Sequence, residues 1–193
     1  MILRSSEVNE DGDIDFVLYG YMNRGAHEGY EGIGVYHYNN DKNVVEERAF
    51  IPISESFEFL KRDLGKLSYV NENNELFLLL AQKLYCVNIE NNTYEVLEDG
   101  IKNANFTASE NGDYAAWLVT QGDDKGCIHE IQMDTKETRT IEHAKGERLR
   151  VVGYMNQDLI YGILQKSDIL TDSDGHTKEG IHTLRIEDFP GEI

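Results

Sequence analysis

Short apolar runs, each preceded by a cluster of polar turn residues, recur along the whole chain. The clearest case is Ser109–Leu118, which reads S-E-N-G-D-Y-A-A-W-L. Clusters of Gly, Asn, Asp and Ser that bound short apolar or alternating runs are typical of β-strands joined by tight turns. The pattern therefore predicts an all-β chain.

Two landmarks show that this pattern occurs four times. The first is the acidic residue that ends a turn and begins an apolar strand: Asp15, Glu75, Asp113 and Asp158, with steps of 60, 38 and 45 residues. The second is the last apolar residue before a polar hairpin: Tyr38, Ile89, Met133 and Ile186, with steps of 51, 44 and 53. Agreement between two landmarks indicates a tandem repeat, and loop length accounts for the uneven period.

Burial is predicted to change from strand to strand within each repeat. The runs 75–80 and 113–119 are apolar at successive positions, as in a strand that is covered on both faces. The strands after the hairpins, at 43–50 and 137–143, mix charged and apolar residues and are predicted to be outer strands. A further strand before the turn, at 66–70, 105–108 and 149–153, completes four strands per repeat.

Antiparallel four-stranded units of this length, buried in the middle and polar outside, are typical of β-propeller blades. The prediction is a β-propeller-like array of about four antiparallel blades in a single domain, 1–193, with units at 1–53, 66–101, 104–146 and 149–193. A two-sheet β-sandwich uses similar strands and turns and is the alternative fold.

Two features depart from a regular array. Residues 54–64, S-E-S-F-E-F-L-K-R-D-L, have the cap and apolar spacing of a short amphipathic helix between the first two units. The last unit has too few residues for an outer strand, so we expect an incomplete propeller that is a fragment of a longer chain. Its open sheet edges predict self-association or cover by the rest of that chain.

The repeat resembles the TolB-type propeller repeats of bacteria. Ser109–Trp117 is similar to their S-x-D-G-x-x-[IL]-A-[YFW] core, with Asn111 in place of the usual Asp. Residues 15–38 and 158–168 also resemble propeller segments of large membrane-anchored bacterial surface proteins of unassigned function. The resemblance implies an extracytoplasmic or cell-surface location and a role in binding partners or capping enzymes; it implies no reaction.

Charge and composition narrow the classes of partner. The chain has 18 Lys and Arg against 36 Asp and Glu, a net charge of −18, which disfavours nucleic acid and anionic membranes as partners. No apolar run approaches the ~20 residues of a membrane span, and the opening Met1–Ser6 shows no signal peptide. Cys86 and Cys127 are predicted on opposite strand faces, which disfavours a disulfide between them.

Two sequence segments could suggest a metal site. The glycine-rich segment 25–32 brings His27, Glu28 and Glu31 together in sequence, but it supplies no complete ligand set and is interpreted as a hairpin loop. The segment 172–175, D-S-D-G, begins like a calcium loop, but His176 and Thr183 occupy ligand positions of that motif. The half-match at 11–15 is interpreted as a β-turn. We therefore predict no metal site.

Catalytic signatures are not found in the sequence. It contains no G-x-S-x-G, Walker loop, H-E-x-x-H or dinucleotide fingerprint. His37, His129 and His182 lie on predicted strands and are interpreted as packed or rim residues, and Trp117 as core. We predict no catalytic or cofactor-binding residue and no cofactor.

The resulting hypothesis is a non-catalytic propeller-type scaffold that binds a protein or ligand through its loops, within a larger extracytoplasmic protein. The alternative is an accessory propeller that gates or positions substrate for a neighbouring catalytic domain. A cation-dependent adhesion module is a third hypothesis.

Overall fold

The computed structural model describes residues 2–8, 11–53, 63, 66–71, 73–121, 125–165, 167, 169–171 and 177–189. Within these residues the regular secondary structure is almost entirely β-strand, and it includes a short 3-10 helix at Asn103–Asn105. The all-β prediction is therefore confirmed. The chain divides into two compact units, Met1–Gly100 and Ile101–Ile193.

The first unit contains two antiparallel sheets of four strands, each in simple sequence order. Sheet I consists of β1 (Ile2–Val8), β2 (Ile14–Tyr21), β3 (Glu31–Asn39) and β4 (Val44–Pro52). Sheet II consists of β5 (Ser68–Val70), β6 (Glu75–Leu80), β7 (Lys83–Asn88) and β8 (Thr93–Asp99).

The core of the first unit lies between sheets I and II. Every second residue of β6, namely Leu76, Leu78 and Leu80, belongs to one buried cluster with Ile33 and Val35 of sheet I. The intervening Phe77 and Leu79 are equally buried, so β6 is covered on both faces as the sequence predicts. Leucine at successive positions of a strand is therefore explained by burial on both sides.

The second unit contains one four-stranded and one three-stranded antiparallel sheet. Sheet III consists of β9 (Phe106–Ala108), β10 (Tyr114–Gln121), β11 (Lys125–Gln132) and β12 (Thr138–Ile141). Sheet IV consists of β13 (Glu147–Met155), β14 (Asp158–Gln165) and β17 (Thr183–Glu187). Ala116 and Ile128 of sheet III pack against Leu149, Leu159 and Tyr161 of sheet IV.

The long segment between β14 and β17 is more than a loop. It contains a two-stranded hairpin of β15 (Ile169–Thr171) and β16 (Thr177–Glu179). The β-branched residues Ile169, Thr171 and Thr177 favour extended backbone, which accounts for the pairing of these two short strands. The calcium-like segment 172–175 lies outside the described residues.

Residues with positive φ occupy equivalent turns and explain why the repeat is visible in the sequence. The turn before the second strand of each sheet has one such residue: Gly12, Asn74, Gly112 and Asn156. The hairpin after the third strand has Asn43, Asn92 and Lys136 in the same conformation. Gly and Asn tolerate this backbone region better than other residues. The repeat is therefore visible in the sequence as Gly and Asn at equivalent turn positions.

The sheet topology can be compared with several of the sequence predictions. Among the described residues, four sheets of three or four strands form propeller-like blades, in addition to the β15–β16 hairpin, rather than the two sheets of a sandwich. The strands predicted to be outer, β4 and β12, lie at sheet edges, and sheet IV has no strand beyond β17 among the described residues. The helix predicted at 54–64 lies outside the described residues apart from Asp63. The single domain, its unit boundaries and the longer parent chain stay predictions.

Candidate functional site

The glycine-rich loop between β2 and β3 is ordered by His27, but not through the acidic residues that neighbour it in sequence. The His27 Nε2 atom lies 2.7 Å from Glu47 Oε1 on β4, and the His27 ring stacks on Phe50 with 4.1 Å between ring centroids. Glu28 is exposed. The structure therefore pairs His27 with residues about twenty positions away, which the sequence analysis missed.

The backbone of this loop closes on itself. The Met22 amide donates to the Tyr30 carbonyl (2.8 Å), and the Gly29 amide donates to the Met22 carbonyl (2.8 Å). Gly25 and Gly29 have φ values near +90°, a conformation in which a side chain would be strained. The two glycines therefore let the loop turn back over the end of sheet I.

Two exposed tyrosines lie at the two ends of this loop. Tyr21 ends β2 and is 64% exposed, and Tyr30 precedes β3 and is 61% exposed. The Tyr21 backbone pairs with that of Glu31 across the sheet, so the two rings start from adjacent positions. Tyrosine offers a large contact area at a low conformational cost and is enriched where proteins bind one another.

The third residue of the predicted cluster, Glu31, accepts a hydrogen bond from Tyr19 (OH to Oε1, 2.5 Å). Tyr161, which occupies the position of Tyr19 in the last repeat, donates to Glu187 Oε1 (2.7 Å). Burial, followed by the hydrogen bond to the carboxylate, raises the pKa of each of these tyrosines to about 12. The first and last repeats therefore share a buried tyrosine that donates to a glutamate.

These tyrosines predict an alkaline dependence of stability. Because their folded pKa of about 12 exceeds the ordinary value of 10.0, their contribution is complete below pH 10 and is lost as the pH rises toward 12. Tyr19→Phe and Tyr161→Phe should each flatten the fall in unfolding free energy over that range. Denaturant titrations at increasing pH test this, and equal slopes in the wild type and both variants would contradict it.

The three histidines predicted on strands have different surroundings. His37 on β3 lies between Asp15 (Nδ1 to Oδ1, 2.9 Å) and Asp13 (Nε2 to Oδ2, 3.6 Å). His129 on β11 meets the buried Trp117 ring edge-on, with 6.0 Å between centroids. The prediction that His182 lies on a strand is wrong. His182 lies in a bend just before β17, and its amide donates to the Ile163 carbonyl (2.8 Å).

The turn at 11–13 is tied to the hairpin at 39–43. The Asn40 amide donates to Asp13 Oδ1 (2.7 Å), and the Asn40 side-chain amide donates to the Asp11 carbonyl (3.1 Å).

Among the residues that the structure describes, no group of three or more His, Cys, Asp and Glu could hold a metal ion. The absence of a metal, cofactor or catalytic residue stays a prediction.

Sheet II carries a shallow polar pocket that the sequence analysis did not find. Its volume is about 340 Å³, and its lining consists of Glu75, Cys86, Asn88, Thr93, Tyr94 and Glu95. The backbone register brings these residues together, because Glu75 pairs with Asn88 and Cys86 with Glu95.

Cys86 and Cys127 are both thiols, so they form no disulfide with each other.

The second unit contains a buried charged network. Glu130 on β11 is fully buried, bonds to the Arg139 Nε atom on β12, and accepts a hydrogen bond from the Tyr154 hydroxyl (2.8 Å). Arg139 also donates to the Asp188 carbonyl (2.8 Å) and lies over the Phe189 ring. Burial outweighs both hydrogen bonds and raises the pKa of Glu130; burial together with Glu130 raises the pKa of Tyr154.

Across the described part of the chain, no helix is both long and apolar enough to cross a membrane. A scan against protein-family models finds no match, and no curated protein matches the sequence significantly.

Several solved structures, in contrast, match the chain at low TM-scores. The tricorn protease matches with a TM-score of 0.45 and 14% identity over 91% of this chain and 16% of that chain. TolB from Acinetobacter baumannii matches with a TM-score of 0.38 and 11% identity over 86% and 41% of the two chains. An acylaminoacyl peptidase from Pyrococcus horikoshii matches with a TM-score of 0.38 and 7% identity over 93% and 32%.

All three TM-scores are below 0.5. The chain spans less than half the length of each of the three structures. The sheets described above, which are antiparallel and have their strands in sequence order, are propeller-like blades. The class that the fold defines is therefore a β-propeller-like repeat protein.

Proposed function

We propose that the chain is a non-catalytic propeller-type scaffold that binds a protein partner through its loops. The observation that supports this most is the ordered loop between β2 and β3, which presents Tyr21 and Tyr30 to solvent. His27 holds this loop through Glu47 and Phe50, so the tyrosines start from a pre-organised backbone. Pre-organisation lowers the entropy cost of binding and raises affinity for a given contact area.

The location that fits this role is extracytoplasmic, within a larger protein, as the TolB-type resemblance implies. The alternative, an accessory propeller beside a catalytic domain, uses the same loops and differs in what they contact. In that case the loop would face a neighbouring domain of the same polypeptide rather than a separate partner.

Photo-crosslinking tests the proposal. Incorporating p-benzoylphenylalanine at Tyr30 should yield a discrete crosslinked protein in cells, because this side chain would lie at the centre of the contact. The same group at the exposed Tyr94 of β8 serves as the matched control. Tyr21→Ala should weaken binding of the captured partner by about tenfold, as for an interface anchor.

Two results would contradict loop-mediated binding of a partner. One is the same crosslinked species from Tyr30 and Tyr94, and the other is the absence of any species from Tyr30. A crosslink within one polypeptide would favour the accessory-domain alternative.

A further inference from the structure

The outer face of sheet IV, which points away from sheet III, exposes apolar side chains. Leu184 and Ile186 of β17 are 54% and 48% exposed. Their cross-strand partners are Gly162 and Ile160 of β14, and cross-strand partners share a sheet face. The core of the second unit uses the alternate residues of the same strands, so these apolar groups are not needed there.

The outer face of sheet I, which points away from sheet II, is also apolar. Phe16 stacks on Tyr36 with 5.5 Å between centroids, and Phe50 stacks on His27. Val45, opposite Tyr38, is 53% exposed. The core residues Val17, Ile33, Val35 and Ile51 belong to the other face of this sheet.

The two outer faces differ in shape at equivalent repeat positions. A Cβ atom at Gly162 of sheet IV would lie 3.0 Å from the Ile181 side chain, which covers this glycine. At the corresponding Gly20 of sheet I, a Cβ atom would meet nothing within 4 Å. Sheet I is therefore open at the position where an isoleucine side chain covers sheet IV.

The two faces also differ in charge. Glu47 pairs with Tyr36 and is exposed beside the aromatic residues of sheet I. Arg150 pairs with Gly162 and is exposed beside the apolar residues of sheet IV. In a chain of net charge −18, most surfaces repel their copies, but these two faces oppose an arginine to a glutamate.

We propose that the outer face of sheet IV binds the outer face of sheet I of a second copy of this chain. The contact repeats the face-to-face packing of antiparallel sheets that forms the core of each unit. Leu184, Ile186 and Ile181 contact the aromatic residues and the open surface at Gly20, and Arg150 lies near Glu47. This association involves sheet faces and differs from the loop-mediated binding proposed above, although Glu47 and Phe50 take part in both, since they also hold His27 of the β2–β3 loop.

Sedimentation velocity over a wide concentration range tests the association. The wild-type chain should form a dimer or larger species in a concentration-dependent manner. Leu184→Asp and Ile186→Asp should each weaken self-association by about tenfold or more, since each introduces a charge into an apolar contact. Val96→Asp, at an exposed valine on the β8 edge, is the matched control and should change nothing.

A charge exchange tests the pairing of the two faces. Glu47→Arg and Arg150→Glu should each weaken self-association, and the double variant should restore it. A wild-type chain that stays monomeric at every concentration would overturn the proposal. Association that is unaffected by Leu184→Asp and Arg150→Glu, or reduced equally by Val96→Asp, would also overturn it.

Discussion

Replacing Glu130 by alanine is expected to lower the free energy of unfolding by about 3–5 kcal/mol, the usual cost of removing one partner of a buried ion pair. The change leaves the Arg139 guanidinium in a nearly buried position without its carboxylate, and the Tyr154 hydroxyl without its acceptor. Urea unfolding measures the loss. Lys83→Ala, which breaks the exposed pair with Asp99, should cost about 0–1 kcal/mol.

The pH dependence of this variant distinguishes the charge of Glu130 from its packing. Burial raises the pKa of Glu130 above its ordinary value of 4.5, so the folded chain holds this proton more tightly than the unfolded chain does. The free energy of unfolding therefore falls as the pH rises from 4.5 through the folded pKa. Relative to Glu130→Gln, the wild type should therefore lose stability as the pH rises above 4.5. A constant difference between the two would contradict this.

Gly32→Ala is expected to destabilise the first unit by about 1–3 kcal/mol, the usual range for overpacking. A Cβ atom at this position would lie 2.5 Å from the Ile51 carbonyl oxygen and 2.7 Å from the Phe50 ring. A backbone carbonyl in a strand pair cannot move away without disturbing the pairing of β3 and β4. Thermal or denaturant unfolding measures the effect.

The matched control is the residue directly across the sheet. Gly20 pairs with Gly32, yet a Cβ atom at Gly20 would meet nothing within 4 Å. Gly20→Ala should therefore be neutral or stabilise by up to about 1 kcal/mol, because alanine reduces the freedom of the unfolded chain. Equal losses for both variants would show that backbone preference, rather than the contact with Ile51, determines the outcome.

Much of the fold could be predicted from local sequence. The runs at 75–80 and 113–119 predict strands buried on both faces, and the structure buries Leu76, Phe77 and Trp117 as expected. The polar clusters predict the turns, because Gly12, Asn74 and Gly112 adopt backbone conformations that few other residues tolerate. These properties depend on neighbouring residues, and neighbours are what a sequence pattern records.

The contacts around the candidate site required the structure. His27 is adjacent to Glu28 in sequence but bonds to Glu47, and the buried Glu130 joins Arg139 and Tyr154 from two other strands. One signal was accessible, because the hairpin register pairs Glu130 directly with Arg139. The burial of that pair could not be predicted from the hairpin register, because it depends on packing against sheet IV.

The sequence by itself determined most of the strands, their order within each repeat and the turns between them, because each follows from period-two burial and turn chemistry within a few residues. The tertiary structure decided which side chains meet: the partner of His27, the buried network of Glu130, and the outer faces of sheets I and IV. Those contacts join residues that are distant along the chain, and their energies depend on burial that only the packed sheets create.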